Sequence, residues 1–248
     1  MKIAVSPAKT MVENSDSYIG SSVPAYIEYS RILLDEIRKK SYDELKEIWK
    51  CNEKIANENF ARFKDMDLQG SLTPAIFSYQ GIQYQYMAVN VMESSSIEYI
   101  RKNLYILSGF FGILRAFDMV SPYRLEMQAK MKIGKYKNLY EFWGDKIYKE
   151  LFADNEVVIN LASKEYSKCI EKYLTSDNRY ISVTFCEKSG NKIVSKGTYA
   201  KMARGEMVRY MAEKNIQKPE QLYNFNSMGY HFREDLSSDS EYVFERKP

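Results

Sequence analysis

Leu104-Tyr105-Ile106-Leu107 is apolar or aromatic at every position, and a strand of that kind must be covered on both of its faces. The requirement points to a sheet with helices packed against it. The run passes directly into Ser108-Gly109-Phe110-Phe111-Gly112-Ile113-Leu114-Arg115, where two glycines bracket a turn and Ile113 to Arg115 can open a helix. Glycine permits positive φ and close backbone approach, and free N–H groups at a helix start attract phosphate or carboxylate. Two uses fit these residues: a phosphate contact at Gly109 and Gly112, or a tight connection that sends Phe110 and Phe111 into the core.

The flanking sequence supplies the other elements. Lys2 to Val5 reads as a short buried strand stopped by Ser6-Pro7, because proline cannot donate to a ladder. Tyr29, Leu33, Leu34 and Ile37 form one helical face between Tyr26 and Lys40, Ser41-Tyr42-Asp43-Glu44 is a capping box, and Asn52 caps a third helix. Ala75 to Tyr79 has strand character. Leu139, Trp143, Ile147 and Leu151 step by four and predict one helix from Asn138 to about Phe152, with Gly144 an unexpected interior residue. Glu156 to Leu161 predicts a buried strand, Arg179 to Lys196 a hairpin, Thr198 onward a helix, and the tail two further strands. The expected fold is α+β over residues 1–248, a single large domain with a mixed sheet flanked by helices and a helical N-terminal third.

Composition removes several classes of function. A net charge of +3 is too small to announce a nucleic-acid surface, so any anion site has to arise from local clustering. Three well-separated cysteines without CxxC spacing argue against a disulfide framework or zinc knuckle and for a reducing compartment. A single histidine, His231, leaves little for a metal site or a histidine-activated nucleophile. With no signal peptide and no run long enough to cross a bilayer, the expectation is a cytoplasmic protein without membrane contact, cofactor or metal site.

The residues that can carry chemistry lie at strand ends or beside glycines. Lys9 follows the first strand. Arg124 and Glu126 share a face by period two in Pro122-Tyr123-Arg124-Leu125-Glu126-Met127. Asp145 follows Gly144, while Ser163, Glu165 and Tyr166 follow the strand ending at Leu161. Lys201 and Arg204 sit one turn apart on a helix, with Arg209 near the same face. As a set, Lys9, Arg124, Glu126, Asp145 and Glu165 would suit acid–base work, a carboxyl acting as general acid or base and a cation stabilising developing negative charge.

Ser6-Pro7-Ala8-Lys9-Thr10, LSGFFGILR, PYRLEM, LYEFWGD, VINLASKEY, YAKMARG and FNSMGY, in that order along the chain, resemble the YaaA peroxide-stress family. The resemblance implies a bacterial cytosolic protein that helps cells survive hydrogen peroxide and limits free intracellular iron. It also implies DNA binding through a helix-hairpin-helix and a basic cleft. Two stretches are candidates for the hairpin: Leu107 to Gly112, and the helices joined around Trp49 to Asn52. Two functions follow. One is non-sequence-specific binding of duplex DNA or other DNA structures, with Lys9, Gly109, Gly112, Arg115, Lys201, Arg204 and Arg209 meeting phosphates. The other is an enzyme acting on a nucleotide, nucleobase or damaged DNA through Lys9, Arg124, Glu126, Asp145 and Glu165. Convergence of the polar groups in one concavity would favour chemistry, and dispersal over an open groove would favour binding.

Overall fold

The buried run from Leu104 to Ser108 is an inner strand of a large sheet, fully covered as its composition requires. The computed structural model describes residues 1–13, 22–70, 72–154, 156–190 and 192–246. In chain order, β1 (Lys2–Val5) and β2 (Thr10–Met11) precede three helices, α1 (Ile27–Arg38), α2 (Tyr42–Trp49) and α3 (Glu53–Asp65). Next come β3 (Thr73–Pro74), α4 (Ala75–Ser78), β4 (Tyr79–Gln80), α5 (Ile82–Met87), α6 (Ser94–Asn103), β5 (Leu104–Ser108) and β6 (Gly112–Arg115). The middle of the chain adds β7 (Met119–Val120), α7 (Leu139–Trp143), α8 (Lys146–Leu151), β8 (Val158–Asn160) and α9 (Lys164–Glu171). It closes with β9 (Tyr180–Ser189), β10 (Lys192–Val194), α10 (Gly197–Glu213), β11 (Tyr230–Phe232) and β12 (Glu241–Arg246).

Among the described residues, eight of these strands form one sheet in the order β11-β12-β9-β8-β1-β5-β6, with β10 paired to β9. The inner strands β12, β9, β8, β1 and β5 are mutually parallel, while β6, β10 and β11 pair antiparallel. The sheet is therefore mixed and the fold is α+β, as the sequence predicts. Its chain path reverses at β1, which pairs with β5 on one side and with the later strand β8 on the other. Ligands of open sheets bind beyond the carboxyl ends of the strands at such a reversal. Here those ends are Val5-Ser6 and Asn160-Leu161.

Local rules explain most of the elements. Ser41 and Glu44 complete the capping box of α2, and the Asn52 side chain accepts from the Ile55 amide to start α3. One continuous hydrophobic cluster extends from Ile3 to Phe244 and includes the α1 stripe Leu33, Leu34 and Ile37. Among the described residues no helix is long and apolar enough to cross a membrane.

Three expectations are corrected. Ile113 to Arg115 continues as strand, because residues 104–115 form an antiparallel hairpin pairing Ser108 with Gly112. Ala75 to Ser78 is a short helix entered through Pro74, despite its strand-like composition. The helix expected from Asn138 to Phe152 is two helices, broken at Gly144, which takes φ +52. Its apolar stripe still works, because Leu139, Trp143, Ile147 and Leu151 are all fully buried.

Candidate functional site

At the sheet reversal the ends of β1 and β8 are joined side chain to backbone. The Ser6 hydroxyl accepts from the Ser163 amide at 2.8 Å and donates to the Ser163 hydroxyl at 3.2 Å. Ser163 stands at the N-cap of α9 yet makes no capping bond with its own side chain, since its hydroxyl is engaged by Ser6. The Ser6 carbonyl accepts from the Tyr84 hydroxyl at 2.9 Å and from the Gln83 side-chain amide at 3.3 Å. These bonds tie α5 to the sheet and open a cavity of about 400 Å³ between β1, α5, α9, α10 and the Pro122–Met127 segment.

The cavity has an acidic and a cationic side. Glu126 lies between two cations, with Lys9 Nζ at 2.9 Å and Arg124 Nη2 at 3.3 Å. Arg124 and Glu126 are mostly buried, whereas Lys9 is 65% exposed at the rim. Glu165 receives the Gln128 amide at 3.3 Å, and its own carbonyl accepts from the Tyr140 hydroxyl at 2.9 Å. Burial pushes the Glu165 carboxyl above the ordinary range; the neighbouring charge of Glu126 pushes the same way, and the Gln128 amide and Lys9 oppose it. Opposite, Lys201 and Arg204 enter from α10, one turn apart. Neither makes an ion pair or hydrogen bond among the described residues, and Arg204 Nε is fully buried without a partner. Desolvation lowers the Arg204 pKa.

Tyrosines complete the wall. Burial raises the Tyr84 and Tyr166 hydroxyls well above the usual value and the Tyr123 hydroxyl to about 12, so all three stay protonated donors at neutral pH. Tyr123 shares its hydroxyl with Tyr79 at 2.8 Å and Ser108 at 2.6 Å.

Of the residues expected to do chemistry, Lys9, Arg124, Glu126, Ser163, Glu165, Tyr166, Lys201 and Arg204 all line this cavity. Asp145 does not. It stands at the N-cap position of α8 without a side-chain capping bond and pairs with Lys149 at 2.7 Å. Arg115 pairs with Glu150 on the β6 edge, and Arg209 pairs with Glu213 farther along α10. Gly109 and Gly112 are buried in the hairpin turn, whose Phe110 and Phe111 amides are taken by the Ser108 hydroxyl at 3.2 and 2.8 Å. The turn is a packing device: a Cβ on Gly112 would meet the Trp143 ring at 2.7 Å. Leu107 to Gly112 joins two strands, so it is no helix-hairpin-helix; the other stretch, Trp49 to Asn52, joins the helices α2 and α3 through left-handed Lys50.

Sequence reasoning missed Ser6, Gln83, Tyr84 and Tyr123 as wall residues. Ser6 at the end of the first strand and Tyr123 beside Arg124 carried a positional signal, whereas Gln83 and Tyr84 had only the nearby Gln80-Gly81 after an apolar run. Among the described residues, no group of three His, Cys, Asp or Glu side chains could hold a metal ion.

Glu165 predicts a pH effect on stability. Its raised native pKa means that, between the ordinary carboxylate value and the raised one, the folded chain holds a proton the unfolded chain has released. Stability therefore falls as pH rises through that window. Glu165→Gln should flatten that part of the curve relative to wild type. Thermal midpoints measured across pH for both proteins check this, and parallel curves would count against it.

Fold and site together define a mixed-sheet protein with an acid- and cation-lined pocket at the point where its winding reverses. A family model described as peroxide stress protein YaaA matches residues 1–236, and the chain belongs to that family. Among its relatives, the UPF0246 protein of Agathobacter rectalis is 56% identical over 247 residues, covering 100% of this chain and 99% of the relative. That of Lachnoclostridium phytofermentans is 51% identical over 244 residues, covering 98% and 96%. That of Ligilactobacillus salivarius is 50% identical over 244 residues, covering 98% and 99%.

Proposed function

We propose that the protein is an enzyme of the peroxide-stress response that acts on a nucleotide or nucleobase, free or within damaged DNA, by proton transfer in this pocket. The observation that carries the reading is the convergence of Lys9, Arg124, Glu126, Glu165, Tyr166, Lys201 and Arg204 on one concavity. A plain DNA clamp has little use for two carboxylates facing its ligand, since they repel phosphate. Glu165, with its raised pKa, is the proton carrier; groups tuned toward neutral pH serve best as general acids. Glu126, clamped between Lys9 and Arg124, orients polar atoms of the substrate, and the rings of Tyr84, Tyr123 and Tyr166 line the wall beside it.

DNA binding fits the same reading as a means of delivering substrate. The rim cations Lys9 and Lys201 would contact strand phosphates without reading sequence, and affinity would then fall steeply with salt. The helix pair α2 and α3 is the remaining candidate for a hairpin-type contact.

The test is to incubate the purified protein with peroxide-treated duplex DNA and with a mixture of oxidised nucleotides, following released or altered bases by mass spectrometry. Wild type is expected to form product, and Glu165→Gln to form it about 10²- to 10⁴-fold more slowly. Salt-dependent DNA binding with no product from either substrate would replace the enzyme by a DNA-binding protein.

A further inference from the structure

The charges in the pocket do not balance. Four cationic side chains, Lys9, Arg124, Lys201 and Arg204, face two acids, Glu126 and Glu165. Glu126 is already matched by Lys9 and Arg124. Lys201 and Arg204 have no counter-charge among the described residues, and Arg204 keeps a fully buried Nε without an acceptor. A buried N–H without an acceptor is costly to hold, and native structures pair such groups or use them. The helix that carries it is fixed in place: Gly205, the next residue, lies against the backbone of Gln83 and Met87 in α5.

We infer that Lys201 and Arg204 form a phosphate subsite for a phosphomonoester, so that the substrate is a nucleotide with a terminal phosphate whose base lies toward Glu126, Glu165 and the tyrosines. This rests on the enzymatic reading above and narrows its substrate. Two unpaired cations match a terminal phosphate, which carries about −1.5 to −2 at neutral pH, better than the single charge of an internal diester. The planar guanidinium fork can bind two phosphate oxygens at once, and the lysine adds a point charge beside it. The 400 Å³ cavity is within the range of small-molecule sites. The ligand's polarity follows from which cations are free: Lys9 and Arg124 are taken by Glu126, whereas Lys201 and Arg204 are not paired among the described residues.

Isothermal titration of the full chain tests the inference. The probes are inorganic phosphate, the four deoxynucleoside 5′-monophosphates, the matching nucleosides, and a dinucleoside monophosphate whose only phosphate is an internal diester. At least one monophosphate is expected to bind about tenfold or more tightly than its nucleoside and than the diester, with inorganic phosphate competing. Lys201→Ala, at an exposed position, and Arg204→Met should each remove that preference, bringing monophosphate affinity down to that of the nucleoside. Arg209→Met, outside the pocket, should keep it. Nucleosides binding as well as monophosphates, or a preference that survives both pocket variants, would overturn the subsite and leave the pocket reading standing. Inorganic phosphate binding that depends on Lys201, with no base-bearing probe binding better, would support the subsite and overturn the nucleotide assignment. No binding by any probe would overturn both.

Discussion

Gly205→Ala is expected to destabilise the protein by about 3 kcal/mol, at the upper end of what overpacking in a core usually costs, and to weaken ligand binding with it. A Cβ at this position would overlap the Gln83 carbonyl oxygen and lie 2.9 Å from the Met87 amide nitrogen. Both are backbone atoms, so no side chain can swing aside to make room, and the two helices would have to separate. Gln83 and Tyr84 on α5 and Lys201 and Arg204 on α10 line the pocket from the two sides of that contact. Separation would therefore widen the site as well as loosen the core. A urea titration reads the first effect as a lower midpoint at unchanged slope; a midpoint equal to wild type would show that the helices are not held at this distance.

Trp143→Ala should cost more, about 3–5 kcal/mol for the lost side chain alone. Trp143 is fully buried, lies against the Cα of Gly112, and packs with Tyr26, Tyr29 and Phe142. Its indole N–H donates to the Gly109 carbonyl at 3.0 Å, so truncation also leaves a buried acceptor unpaired, a further ~1–3 kcal/mol. Trp143→Phe separates the two contributions by keeping an aromatic ring and removing the donor. The loss should reach the site, because Gly109 is pressed against the backbone of Leu125 and Glu126. If Trp143→Phe is as stable as wild type, the indole hydrogen bond contributes nothing measurable.

Much of this was legible in the residues. The buried runs at Lys2–Val5, Leu104–Leu107 and Glu156–Leu161 carry the sheet, and the capping signals at Ser41 and Asn52 start the helices they promise. The candidate residues at strand ends also came together, since Lys9, Ser163 and Glu165 follow strands whose carboxyl ends are neighbours. What could not be read depends on contacts across the fold. The glycines of Ser108–Gly112 suit a phosphate turn and a packed hairpin equally well, and only the backbone near Leu125 and the ring of Trp143 decide between them. Asp145 looked like the other acids because its neighbour is a glycine, but Gly144 ends a helix there and turns Asp145 toward Lys149. Nothing local to Arg204 reveals that it makes no ion pair among the described residues, nor that Gln83 and Tyr84 reach the Ser6 carbonyl.

The two walls of the pocket come from different stretches of chain. Lys9, the Pro122–Met127 segment and the start of α9 supply the acidic side, whereas Lys201 and Arg204 arrive only with α10. Because a domain folds as a unit, and β8 and β1 share one sheet with the late strands β9 and β12, the site is complete only once the C-terminal part of the chain is present. On the acidic side Lys9 and Arg124 are already paired with Glu126, so the unpaired cations that would hold a phosphate are in place only when α10 docks on α5. Ligand binding would thus report on completion of the whole chain, and by mass action it would stabilise only the finished fold.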